Sequence, residues 1–333
     1  EISACLVGSE MCIRDSIYIM KILYGIQLTG NGHITRSIQI IKSLKEIGCE
    51  VDIITSGNNS QLELPYEVKN HYKGLSFFYN RSGGIDWIKT IKLLDLTRFL
   101  KDIEYDVSEY DIVVSDFEPI SAWSAKKYNI PSIGIGNQYS FLSKNIPRPK
   151  SPNKISEMFL KKFAKCDYNI AMNYQKYDDF ISLPIISENL LGKETNEENF
   201  YLVYLPSLAT NYVLEQLKDF NCYDWKIYSP DVEEDYIEDR IQMKKLDKEG
   251  FTKDLLNCKG VITASGFSTT TEALVLNKKI WSIPIKGQYE QLCNAIALKR
   301  MGVFTEDLNK DTISLWITNY KEIDYDWETQ SMK

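Results

Sequence analysis

From Lys21 onward, short unbroken apolar runs alternate with longer stretches whose apolar positions recur three and four apart, so strands and helices are expected to take turns. The first cycle reads ILYGIQL as a strand, TGNGH as a loop, ITRSIQIIKSLKEIG as a helix and CEVDIITSG as the returning strand. Gly48 stands where a helix C-terminus favours a residue tolerant of left-handed backbone, and the next strand follows at once. Such a strand–helix–strand unit builds a parallel sheet. The same patterning predicts strands over 74–79, 111–116 and 131–137, and helices over 86–103, 119–128 and 153–165.

The alternation lapses in LPIISENLLGKETNEEN, a polar and acidic stretch that reads as a connection. It resumes at Phe200, with strands in FYLVYLPS, in DWKIYSP and near Ile241 to Lys245, and helices in NYVLEQLKDF and GFTKDLLNC. The run from Val261 to Ala295 then predicts a strand, a small-residue turn, and a helix that opens on Ser268 to Thr271 and ends near Asn277 and Lys278. A strand over Ile280 to Ile283, a last helix over 289–301 and an acidic tail close the chain. The expected organisation is an N-terminal α/β domain over 20–184, a linker over 185–199 and a C-terminal α/β domain over 200–333. Ligands of such sheets sit at the carboxyl ends of the strands, here in a cleft between the halves. Residues 1–19 show no periodicity, and Glu10, Arg14 and Asp15 interrupt any apolar core; they are read as a non-native leader, with Met20 as the start.

A chain of 333 residues allows each half its own core, and 44% hydrophobic with 26% charged residues is the balance of a globular protein. The net charge of −7, with no Lys/Arg-dominated domain, argues against nucleic acid as a partner. Seven scattered cysteines without a CxxC argue against disulfide or metal frameworks and make a reducing cytoplasm the expected compartment. No apolar run approaches the roughly 20 residues of a membrane helix. The segment 144–165 is locally basic, with Ile155, Met158, Phe159 and Phe163 at helical spacing. It reads first as an amphipathic helix facing the core, and second as a peripheral contact with the inner, anionic face of a membrane.

The chemistry concentrates between Val261 and Ala295. A helix N-terminus offers unpaired N–H groups and partial positive charge, so Ser265, Gly266, Phe267, Ser268 and Thr269 can hold phosphate without a lysine. Glu272, one turn in, can accept hydrogen bonds from ribose hydroxyls. The pattern Ser265-Gly266-x-x-Thr269-x-x-Glu272-Ala273-Leu274, then Pro284, then Gln291-x-x-Asn294-Ala295, resembles the donor-site signature of GT-B glycosyltransferases of the family 1/family 28 type. These are relatives of the lipid-II GlcNAc transferase and the UDP-glucuronosyltransferases. The resemblance is strong over the last third of the chain and looser before it.

What the resemblance implies is an α/β, GT-B fold of two Rossmann-like domains with parallel sheets facing across a cleft. A UDP-sugar would be co-substrate, with no metal and no other cofactor. Gly32, Ser207, Gln288, Glu290, Gln291 and Asn294 would join the helix start and Glu272 in donor binding, and Lys244 and Leu246 would flank the base. Three departures stand out. Ala264 replaces the histidine or arginine of many relatives, Pro206-Ser207 replaces a glycine-rich turn, and the N-terminal half matches no acceptor class.

The chain has two histidines, and His33 lies in Gly30-Asn31-Gly32-His33, where the first strand gives way to a helix. A neutral imidazole there could take the proton of an attacking hydroxyl, although taken by itself it reads first as a helix cap. GT-B enzymes carry their base in such a loop, which makes His33 the expected general base. Asp116, ending DIVVSD in a segment similar to that of plant-type sugar transferases, would orient it or cap the next helix, with Glu118 as runner-up and a candidate on the acceptor side. Thr35 stands where a dinucleotide fingerprint needs its third glycine, and no P-loop lysine follows. Gly84 and Asp86, in SGGIDWIKT, would form an acceptor wall, while Asp324-Tyr325-Asp326 reads as a chance DxD. The expected activity is an inverting, metal-independent hexosyl transfer to a hydroxyl acceptor (glycan, lipid or small molecule), for instance in cell-envelope glycan biosynthesis. A UDP-sugar 2-epimerase-like isomerase and a non-catalytic nucleotide-sugar-binding protein are the alternatives.

Overall fold

The computed structural model describes residues 19–57, 64–74, 96–319 and 323–327. Two sheets carry it. The first contains β1 (Lys21–Gln27), β2 (Glu50–Ser56), β3 (Asn70–Tyr72), β4 (Ile112–Asp116), β5 (Ser132–Gly136), β6 (Tyr168–Met172) and β7 (Ile181–Ser182), in the order β3-β2-β1-β4-β5-β6-β7. All its pairs are parallel. The second contains β8 (Phe200–Tyr204), β9 (Asp224–Tyr228), β10 (Tyr236–Glu238), β11 (Ile241–Lys244), β12 (Gly260–Ala264) and β13 (Lys279–Ile283), in the order β10-β11-β9-β8-β12-β13. It is parallel except for the β10–β11 pair. The direction of winding reverses between β1 and β4 in one sheet and between β8 and β12 in the other. Strand ends at such a reversal splay their following loops apart and open a crevice.

Among the described residues the helices are α1 (Asn31–Glu46), α2 (Leu96–Asp102), α3 (Pro119–Tyr128), α4 (Lys154–Lys162), α5 (Thr210–Leu217), α6 (Lys248–Asn257), α7 (Phe267–Val275), α8 (Tyr289–Arg300) and α9 (Lys310–Thr318), with a 3-10 turn over Asn137–Leu142. Strands covered on both faces read as apolar runs, and Ile22, Leu23, Tyr24 and Ile26 of β1 are all buried. One buried cluster continues from β1 and α1 through Met172, Tyr174 and Ile186 to Phe267, Leu274 and Val261, so the halves share apolar contact behind the crevice.

Several elements depart from expectation. β3, β6 and β7 are short and contain few consecutive apolar residues, which left no strand signature. The helix expected last is followed by α9, which opens with a capping box of Asn309 and Thr312 and buries Ile313 and Trp316. Trp316 packs 5.1 Å from the Tyr201 ring and 5.8 Å from Trp281. The acidic tail then returns to the first half, where the Tyr325 hydroxyl donates to the Tyr174 carbonyl and Trp327 Nε1 donates to that of Pro184. On α4, Leu160 is buried but Ile155 and Met158 are exposed, which corrects the reading of those two as core positions. Residues 75–79 of the strand expected over 74–79, the first turns of the helix expected over 86–103, and the leader up to residue 18 lie outside the described residues. No helix among the described residues is long and apolar enough to cross a membrane.

Candidate functional site

The β1–β4 pairing sets Ile26 beside Asp116, so the last residue of β4 emerges next to the loop that starts α1. His33, third residue of that helix, reaches it: Nδ1 lies 2.7 Å from Asp116 Oδ1. A bare imidazole nitrogen and a carboxylate oxygen would repel at that distance. The proton must therefore sit on Nδ1, which leaves Nε2 as the acceptor nitrogen. Asp116 is fully buried and also serves Arg36, one turn along α1, which donates from Nε to Oδ2 at 2.9 Å and from Nη2 to Oδ1. Ser37 Oγ donates to Oδ2 at 3.1 Å. Burial alone would raise the Asp116 carboxyl, but the charge of Arg36 and the contact with His33 outweigh it and hold it below the usual carboxylate range. Gly136 keeps room for the guanidinium: its φ is +145°, and a Cβ there would stand 3.1 Å from Arg36 Nη2.

Beyond Asp116 the backbone turns sharply. Phe117 takes φ of +53°, a left-handed conformation held by packing against Tyr139 and Phe163. The turn carries Glu118 back over the start of α3, where its carboxylate accepts from the N–H groups of Ile120 and Ser121 at 2.8 and 2.6 Å. Glu118 is fully buried, which raises its carboxyl despite those bonds. The helix cap is therefore Glu118 and not Asp116, and Glu118 does not line the cavity that faces His33.

Facing this loop across a cavity of about 370 Å³ is the start of α7. Gly30, Asn31, Gly32, His33 and Arg36 line one wall, and Gly266, Phe267, Ser268, Thr269 and Glu272 line the other. The halves nearly touch here, since a Cβ on Gly32 would lie 2.3 Å from Ser268 Oγ. None of α1, α7 and α8 has a side-chain cap, and a helix start of that kind can offer backbone N–H groups to an anion. Each such end carries about half a positive charge. Glu272 lies 3.5 Å from Lys248 Nζ, which also lines the cavity. Burial raises the Glu272 carboxyl and Lys248 opposes the rise. Glu290 is raised likewise by burial, against His33, Gln138 and Arg36. Both its oxygens accept from Gln138 Nε2, at 3.1 and 3.2 Å, a bond that spans the two halves.

Other expected residues stand elsewhere. Ser265 is fully buried and its hydroxyl is bonded to that of Ser282 at 2.7 Å, while Asn294 Nδ2 donates to the Ser265 carbonyl at 3.1 Å. These two hold the turn from behind and do not line the cavity. Gln291 does line it, and its Oε1 also accepts from the N–H of Ile285. Pro206 lines the cavity where Ser207 was expected, and Gln288 occupies the N-cap position of α8 outside the lining. Leu246 lines it, whereas Lys244 is turned to Asp235 at 3.2 Å. Gly84 and Asp86 lie outside the described residues.

Sequence reasoning missed Arg36, Lys248, Tyr204, Phe251, Asn137 and Gln138, all in the lining. The i, i+3 spacing from His33 to Arg36 put both on one helix face, a usable signal. Asn137 and Gln138 follow β5 and had none. Each has an amide oxygen that is buried without a partner, an opening for a donor hydroxyl. Tyr204 ends β8 and Phe251 lies in the first half of α6, and they meet only in the fold, with ring centroids 5.7 Å apart. Among the described residues no group of three or more His, Cys, Asp or Glu is placed to hold a metal ion.

A family model described as Glycosyl transferase family 1 matches residues 20–320. No curated protein matches the chain. Among solved structures, the chain resembles the glycotransferase of kitacinnamycin at 14% identity over 90% of each chain, with a TM-score of 0.60. It resembles UGT89C1 of Arabidopsis thaliana complexed with UDP at 12% identity over 94% of this chain and 92% of that one, with a TM-score of 0.57. It resembles UGT2 of Phytolacca americana complexed with UDP-2fluoro-glucose and pterostilbene at 13% identity, with the same coverages and TM-score. At these identities the likeness establishes the fold, which is GT-B.

Proposed function

The chain belongs to glycosyl transferase family 1 and is a glycosyltransferase; from that premise we propose that it moves a hexose-type sugar from a UDP-sugar to a hydroxyl acceptor, with inversion and without a metal. Residues 20–184 serve the acceptor and 200–333 the donor. The observation that carries the reading is the His33–Asp116 bond at 2.7 Å, set across one cavity from the uncapped start of α7. The UDP and UDP-sugar complexes of the two plant enzymes of like fold agree with it.

In this reading the diphosphate lies on the N–H groups of Gly266 to Thr269, with the first turn of α1 and Lys248 sharing its charge. Glu272 accepts from the ribose hydroxyls, displacing Lys248 toward phosphate. Leu246, Tyr204 and Phe251 hold the uracil ring, and Glu290, Gln291, Asn137 and Gln138 address the sugar hydroxyls. His33 Nε2 takes the acceptor's hydroxyl proton as that oxygen attacks the anomeric carbon from the face opposite the diphosphate. The new C–O bond forms as the bond to the diphosphate breaks, and UDP leaves with the electron pair. Asp116 stabilises the imidazolium, and Arg36 holds Asp116 in place from its far side.

A panel of UDP-sugars, with UDP release as the readout, tests this. One sugar should give turnover, and His33→Ala should lower it by at least about 100-fold with UDP affinity nearly unchanged. Turnover at the wild-type rate in that variant would remove His33 from the chemistry.

A further inference from the structure

We propose that the face built by Lys144, Lys154, Ile155, Met158 and Lys162 docks this protein on an anionic lipid surface. The chain as a whole carries −7, yet residues 144–165 hold seven Lys or Arg against one carboxylate. That carboxylate, Glu157, is spent inward: it accepts from Arg148 Nε at 2.7 Å and from the Tyr289 hydroxyl at 2.8 Å, and pairs with Lys161 at 3.0 Å. The outward set is left basic, with Lys144, Lys150, Lys154, Lys162 and Lys165 exposed.

The apolar half of the argument comes from α4 itself. Its inward face is already used, by buried Ser156 and Leu160 and, just past its end, Phe163. Ile155 and Met158 form a second stripe on the solvent side, 63% and 55% exposed. Positions 154, 158 and 162 follow one another at helical spacing, which sets Met158 between two lysines. Lys144, Lys154, Met158 and Lys162 border one shallow groove. Apolar tips within a ring of lysines suit a headgroup layer, where the tips enter the acyl boundary and the ammonium groups meet anionic lipid. A symmetric pairing of two copies through this face would set lysine against lysine.

Full-length protein is sedimented with vesicles of phosphatidylcholine alone and of phosphatidylcholine with phosphatidylglycerol. Binding is expected only with the anionic lipid and should be lost in about 0.5 M salt. Each lysine near such a surface contributes roughly fivefold, so Lys154→Glu/Lys162→Glu should lower partitioning by more than about 25-fold. Ile155→Ser/Met158→Ser should lower it about 10-fold, and both pairs should keep wild-type melting and UDP affinity. No binding to anionic vesicles, or equal binding by either pair of variants, overturns the proposal. So does light scattering that shows a dimer abolished by Ile155→Ser/Met158→Ser without vesicle binding. These readouts do not depend on the transfer reaction, so docking and catalysis fail or succeed separately.

Discussion

Asp116→Asn is the most informative single change, because one buried carboxylate serves an imidazole and a guanidinium together. Asparagine keeps the size and removes the charge. Arg36, 7% exposed, would then stand buried without a counter-ion. Removing one partner of a buried pair costs about 3–5 kcal/mol. Since asparagine can still accept a hydrogen bond, a loss of about 3 kcal/mol is expected, or roughly 6–12 °C in Tm for a unit of 150–250 residues. Adding Arg36→Met should return most of it, because an apolar side chain needs no counter-ion. Transfer should not return: without Asp116, His33 loses the partner that fixes its tautomer, and losing such a carboxylate in a hydrolase triad costs on the order of 10⁴ in kcat. Thermal melts and UDP release on Asp116→Asn, Arg36→Met and the double variant give the cycle. A single variant within about 1 kcal/mol of wild type, or a double variant less stable than Asp116→Asn, would refute the shared-charge reasoning. The pH dependence adds a sign. Because Asp116 is held below the usual range, its stabilisation is complete above the unfolded-state value near 3.9 and is lost as pH falls through the lower folded-state value. The gap between wild type and Asp116→Asn should therefore close on acidification below about pH 4.

Glu272→Ala should weaken UDP about 10-fold or more by calorimetry while leaving pyrophosphate binding no weaker, since the carboxylate meets ribose in the proposed pose. Unchanged UDP affinity would end that assignment. Phe251→Ala should weaken UDP about 10-fold through lost stacking, again without effect on pyrophosphate; equal losses for both would place the base elsewhere. Lys248→Met should weaken UDP several-fold at low salt, and the difference from wild type should shrink in about 0.5 M salt. A deficit independent of salt would mean that Lys248 acts through Glu272 alone.

The candidate site was legible where chemistry is encoded locally. Gly30 to His33, and Gly266 to Glu272, are each a few consecutive residues at a strand–helix junction, so type and spacing already specify what the backbone can do. Their neighbours were not legible, because Arg36 matters through an aspartate 80 positions away, and Phe251 through a tyrosine on another element. Ser265 and Asn294 were misread for a related reason. Small polar residues beside the turn that starts a helix serve its back as readily as its face, and only packing tells which.

By itself the sequence determined the α/β alternation, the two crevice-forming loops and the residue types suited to hold a diphosphate and a base. Hydrophobic period, turn residues and helix starts are local properties that need no partner from afar. Only the tertiary structure decided that Asp116 is shared by His33 and Arg36, that Glu118 caps a helix, and that Gln138 and Glu290 meet across the cleft. It also decided that α4 keeps two apolar side chains outside. Burial and charge pairing depend on which surfaces meet, and strand order, not sequence distance, sets that.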